Sequence, residues 1–268
     1  MKNRSRKHLV WMLLLASTTD VNMAHAGAWP QPLHHIQIIV PFSTTHASSA
    51  YDIQGKLVRR NPYTKEELAP YVEYGLTTHT TLVGQMSLLH EHTSWLGKSV
   101  VQRSLSELKF GARFALGEWQ KTYFSIQPLA IWHGSMNESD PFASQRGDID
   151  GEFAVTLGRH FKWLGFDGFT DNLIGITLRP ANRPSAFKVN LTLGLDLNPR
   201  TKIMLKSESY AAFSKGAAAS QVQSNKLGLS FVRRMDKTVS LEIGAATSLT
   251  GRNTIEERSV RLALWYDF

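Results

Sequence analysis

Apolar and polar side chains alternate with a period of two along most of this chain beyond residue 35. The C-terminus states the pattern most clearly. Val260, Leu262, Leu264, Tyr266 and Phe268 alternate with Arg261, Ala263, Trp265 and Asp267, as in a strand with one apolar face. The same reading predicts a first strand with Ile36, Ile38, Val40 and Phe42 on one face and Pro41 at a position whose donor is not needed. Residues 45–67 read as an external loop with a short hairpin around Gly55. Val72, Tyr74 and Leu76 then oppose Tyr71, Glu73 and Gly75, and a tight turn at Thr77 to Thr80 leads to Leu82, Gly84, Met86 and Leu88. After a polar loop at 91–103 come Leu108, Phe110, Ala112, Phe114 and Leu116, a turn near Gly117-Glu118, and Phe124, Ile126, Ala130 and Trp132.

Beyond a loop at 134–147, Ile149, Gly151, Phe153, Val155 and Leu157 form the next apolar row. A longer connection at 159–170 leads to Ile174, Ile176 and Leu178, and a proline-containing loop follows at 180–185. Val189, Leu191, Leu193, Leu195 and Leu197 then meet Ile203 and Leu205 across Asn198-Pro199-Arg200. Loop 214–223 precedes Leu227, Leu229 and Phe231; a turn at Met235-Asp236 leads to Val239, Leu241, Ile243 and Ala245, and loop 250–256 to the final strand. Short and long connections alternate. Twelve strands with that parity, and both ends on the short-turn side, predict an all-β, transmembrane antiparallel up-and-down β-barrel. None of these apolar rows carries a charge, which at a bilayer midplane would cost about 2 to 4 kcal/mol. The alternative is a soluble exported β-sandwich, whose strands alternate because one face packs on a core.

The first 26 residues stand apart. Lys2, Arg4, Arg6 and Lys7, an apolar stretch from Leu9 to Ala16, and Ala24-His25-Ala26 make a secretory signal peptide, with Gly27 expected as the first residue after cleavage. The expected organisation is therefore a signal peptide at 1–26 and an outer-membrane β-barrel domain at 27–268. Losing the signal's four basic residues and one acidic residue lowers the formal net charge from +8 to about +5. With acids interspersed and no basic run, nucleic acid is a poor partner. There is no cysteine, so disulfides and thiolate metal sites are excluded. Gly27 to Pro32, with Pro30 and Pro32, reads as an extended segment expected in the periplasm.

If the apolar face meets lipid, the other lines a lumen. That face carries Lys109, Arg113, Arg179, Lys188, Lys206 and Arg261 against Glu73, Glu107, Asp150, Glu152, Asp196, Glu208, Glu242 and Asp267. Charges in a low-dielectric lumen are expected to pair across strands, and a subset could form a weakly selective constriction. His133-Gly134-Ser135 puts two groups of a hydrolytic triad on one face. Trp132 belongs to the lipid side, however, so they point away from a lipid substrate, and no catalytic residue is assigned. His34-His35 and His90-x-His92 are loop histidines to which no metal is assigned, and no cofactor is implied.

Several stretches resemble a group of proteobacterial outer-membrane proteins, some called XagA-like, similar in layout to the phenol-degradation MetA-pathway barrels. They are Tyr71 to Thr77, Glu107 to Arg113, Gly158 to Phe161, Gly251 to Asn253 and Trp265 to Phe268. The resemblance implies fold more than activity. It implies a Gram-negative outer membrane, with lipid and lipopolysaccharide around the barrel. By likeness to such barrels, the terminal pair Tyr266 and Phe268 is what the barrel assembly machinery reads. Three classes of function follow: a narrow channel or transport barrel, a structural barrel serving polysaccharide or adhesin export with a plugged lumen, and an enzyme.

Overall fold

The computed structural model describes residues 27–95, 98–134, 149–180, 184–213 and 221–268. The expected signal segment at 1–26, Ser135, and most of loops 134–147 and 214–223 lie outside the described residues. The strands are β1 (Ile36–Tyr51), β2 (Leu57–Leu68), β3 (Tyr71–Gly75), β4 (Thr80–Trp95), β5 (Lys98–Trp119), β6 (Thr122–His133) and β7 (Ile149–Trp163). They continue as β8 (Phe166–Leu178), β9 (Ser185–Asn198), β10 (Thr201–Phe213), β11 (Gln223–Arg234), β12 (Val239–Arg252), β13 (Thr254–Ile255) and β14 (Arg258–Asp267). β2 and β3 are two halves of one stave against β1, and β13 is a two-residue extension beside the end of β1. The result is a closed antiparallel barrel of twelve staves.

The break between β2 and β3 has a local cause. Ala69 N donates to Pro41 O at 3.0 Å, but Pro41 has no N–H to return the bond, and Pro70 lacks one as well. The ladder lapses where the two prolines meet. Closure comes from β1 pairing with β14, Val40 opposite Leu264 and Phe42 opposite Leu262. At its end Ile36 N donates to Phe268 O at 3.0 Å and Phe268 N to Ile36 O at 2.9 Å.

Exposure is inverted relative to a soluble protein. Phe110 is 66% exposed and Val260 61%, whereas Glu73, Asp150 and Glu242 are at 0%. So broad an apolar exterior belongs against lipid. The β-sandwich is ruled out, because the sheet closes on itself and leaves these apolar rows outside. Rings gather at the short-turn end: Trp119, Trp163, Phe166 and Phe268 are exposed there, and Tyr266 stacks on Phe268 with centroids 6.3 Å apart. Such a girdle marks a membrane interface.

Four expectations are corrected. Residues 91–103 are not a loop: β4 runs to Trp95 and β5 starts at Lys98, and their polar ends form a ladder. Most of 45–67 is likewise β1 and β2, with the turn near Gly55, whose φ of 78° suits glycine. The connection 159–170 is strand except at Leu164 and Gly165, and the turn placed at Gly117-Glu118 falls at Gln120-Lys121. Both pairs have positive φ throughout, the mark of a type I′ turn whose twist suits a two-residue hairpin. Gly117 instead sits at a register shift in β5. The turn at Met235-Asp236 stands as expected: Asp236 accepts from Thr238 N and Val239 N, each at 2.7 Å. Those bonds hold its carboxyl below the ordinary range.

Deleting Phe268 removes both bonds to Ile36 at the seam. Unsatisfied backbone groups in hydrocarbon cost several kcal/mol each, so the variant is predicted to lose the heat-modifiable folded band on electrophoresis. Folded protein at normal abundance would contradict the closure argument.

Candidate functional site

The inner wall is polar because alternate residues of every stave must point inward, and its long charged side chains meet along one strand or across an intervening one. Glu73 pairs with Arg113 at 2.6 Å, Glu107 with Lys109 at 2.9 Å, Glu152 with Lys188 at 2.6 Å and Glu242 with Lys206 at 2.7 Å. Asp150 holds Arg179 at 3.1 Å and His133 at 2.8 Å. Glu242 also accepts from Trp265 Nε1 at 3.0 Å and lies 3.6 Å from Arg261. Asp196 lies 3.8 Å from Lys202, which sits over the Phe169 ring. Of the acids named from sequence, Glu208 makes no ion pair among the described residues and is exposed. Asp267 accepts from Gln37 at 2.8 Å at the short-turn end.

The segment 27–32 corrects the sequence reading. It does not lie outside the barrel in the periplasm. From the turn at His34, whose φ is 63°, the chain runs back into the lumen as an irregular strap that bends at Gly27 to Trp29. The lumen satisfies the strap's backbone: Ala28 N donates to Asp171 at 3.0 Å and Gln31 N to Thr81 Oγ1 at 2.9 Å. Ser125 Oγ donates to Ala28 O at 2.6 Å, and Arg113 Nη1 to Trp29 O at 3.3 Å. The Gln31 side chain donates to Glu73 at 2.6 Å. A segment in neither helix nor sheet has no ladder of its own, and its buried backbone groups must find partners; the two prolines, lacking N–H, reduce the demand.

Arg113 is the hub of this arrangement. Besides Trp29 O it donates to Gln127 at 3.0 Å, to Glu73, and to Tyr71 Oη at 3.1 Å, and Tyr71 in turn donates to Glu73. The Trp29 ring packs 4.6 Å from His160 and edge-on to Phe169 at 6.3 Å. Glycine is needed in the wall beside it, because a Cβ at Gly158 would come within 2.8 Å of that ring and 2.9 Å of Ala28 Cβ. Beside the strap's tip is a cavity of about 310 Å³, whose lining includes Gly27, Lys109, Glu152, Asp171, Lys188 and Lys206.

Sequence reasoning missed Lys202, Asp171, the pairing of His133 with Asp150, and the whole strap. Asp171 stood at the edge of the expected connection 159–170. The strap had no local signal, since its partners come from β3, β4, β5, β6 and β8. The other histidines have ordinary companions. His34 Nδ1 lies 2.9 Å from Tyr74 Oη and His35 Nε2 3.7 Å from Asp267. His90 and His92 belong to β4 rather than to a loop, and His90 Nδ1 lies 3.1 Å from Glu66.

No family model matches the chain, and no curated protein matches it in sequence. Solved structures do. The COG4313 outer membrane channel from Pseudomonas putida F1 superposes with a TM-score of 0.69 at 11% identity, over 92% of this chain and 100% of that one. The NanC porin gives 0.54 at 9% identity, over 85% and 98%. The translocator domain of the autotransporter NalP from Neisseria meningitidis gives 0.52 at 9% identity, over 92% and 91%. The chain thus has the fold of outer-membrane β-barrels, one shared by channels and by a translocator.

Replacing Glu242 with alanine would leave Lys206, Arg261 and Trp265 Nε1 without their common acceptor. Removing one partner of a buried pair costs about 3 to 5 kcal/mol. The variant is predicted to lose its folded band at a clearly lower temperature than the native barrel. An unchanged transition would mean that these charges are not structural.

Proposed function

We propose that this protein is a narrow transport channel of a Gram-negative outer membrane, with a mixed-charge lumen closed at rest by its own N-terminal strap. The short turns face the periplasm, and the strap enters from that side. The observation that carries this reading is how the lumen is filled. The wall's side chains leave a cavity of about 310 Å³, and beside it the obstruction is a separate run of six residues, held by hydrogen bonds and ring contacts. A barrel with a purely structural role could fill its interior from the wall. Here the filling is removable without breaking a stave.

The lumen's positive and negative groups favour weak selectivity over a single-sign filter. The likeness to a channel and a porin supports transport as the class, and the XagA-like affiliation belongs to the same proposal. The principal competitor is an assembly or export barrel with a permanently filled lumen, for which the likeness to a translocator speaks. No enzymatic role is proposed: the Asp150 that bonds His133 is already held by Arg179 as part of the wall's ion-pair network, and Ser135 lies outside the described residues.

Conductance separates the two readings. In planar bilayers the native protein is predicted to show small or rare openings, and a variant lacking residues 27–32 a several-fold larger, continuous conductance. If the truncated barrel folds and still conducts no better than the native one, the export reading replaces the channel.

A further inference from the structure

Asp171 is an exception on the inner wall. Glu73, Glu107, Asp150, Glu152, Asp196 and Glu242 each have a basic side chain within ion-pair distance. Asp171 makes no ion pair among the described residues, although it lies deep in the lumen and lines the cavity. The charged groups that act on it from the facing wall are Arg113 and Glu73, and those two are already paired with each other. Its carboxylate is pressed against the start of the strap: Ala28 N donates to Oδ1 at 3.0 Å, and a Cβ built on Gly27 would lie 2.1 Å from Oδ2. Only glycine fits residue 27 at that approach. The backbone nitrogen of Gly27 is bonded to the same Cα, about 1.46 Å from it, which keeps it near this carboxylate.

We propose that Asp171 is a receptor for a primary ammonium group, the α-amine that cleavage after Ala26 creates on Gly27. In the precursor that nitrogen is a neutral amide in a peptide bond. Hydrolysis of the Ala26–Gly27 bond takes up one water, leaves a carboxylate on Ala26 and gives Gly27 an amine that is protonated at neutral pH. The Asp171 carboxylate then meets a cation with three donors, while Ala28 N keeps its bond to Oδ1. Processing supplies the missing counter-ion. The strap is seated by the same cut that releases the signal, so a barrel that retains its signal lacks this anchor. The inference needs the strap and the cleavage site, and it holds whether or not the barrel conducts.

The reactivity of the α-amine tests it. N-terminal sequencing of the purified barrel should begin at Gly27; any other first residue overturns the proposal. An acylating reagent attacks only the unprotonated amine, and a carboxylate partner that raises the amine's pKa by about one unit slows labelling about tenfold at pH 7. Native barrel should therefore label about tenfold more slowly than the same chain unfolded in urea, and Asp171→Asn should recover most of that rate while keeping the folded band. Equal rates for native and unfolded chains would overturn the ion pair. So would an Asp171→Asn barrel protected as well as the native one, which assigns the protection to burial alone. If Asp171→Asn does not fold, the pH dependence of labelling in the native barrel serves in its place: an inflection above that of the unfolded chain supports the pair, and one at or below it, as burial alone would give, overturns it.

Discussion

The constraint on which everything else depends is that no strand amide can be left unpaired in hydrocarbon. A sheet meets it only by closing on itself, and here closure rests on β1 lying against β14, sealed by the reciprocal bonds between Ile36 and Phe268. Once the sheet is closed, the period of two does the rest. One face of every stave is given to lipid and must be apolar; the other is given to an interior lined by polar and charged side chains. That interior is where sequence has freedom, and this chain spends it on charge pairs and on a strap.

The strap and the ion pairs are one system. Arg113 ties them together, because the same guanidinium neutralises Glu73 and holds the carbonyl of Trp29. Glu73 in turn accepts from Gln31. A lumen with these charges but no strap would leave such groups facing a larger aqueous space, where an ion pair is worth less. The strap therefore gains its hold from a wall that is already organised, and the wall gains low-dielectric surroundings from the strap. Neither contact is covalent, as the proposed reversible closure requires.

The outer face was legible in the sequence, since period-two alternation reports a half-buried strand whatever its neighbours are. The inward direction of Glu73, Arg113, Glu152, Lys188 and Glu242 followed from the same parity. Their partners did not, because pairing depends on stagger between strands, and a sequence read strand by strand has no stagger. One turn was misplaced and one connection drawn too long for a local reason: Gln120-Lys121 and Leu164-Gly165 take positive φ without the Asn-Gly signature that usually announces it. Residues 91–95 and 98–103 were read as loop because strands that stand clear of the membrane lose their apolar row. The strap was invisible in principle. Two prolines say that a segment is extended, and only the folded wall says where it goes.

The absence of cysteine from the native chain allows a direct test of where the strap lies. Ala28 is fully buried, with its Cβ against Gly158 of the wall, so a cysteine replacing Ala28 would sit inside the barrel. In outer membranes the folded Ala28→Cys variant should resist maleimide and label fully only once unfolded. A freely labelled thiol in the folded barrel would place the N-terminal segment outside the lumen and contradict the account.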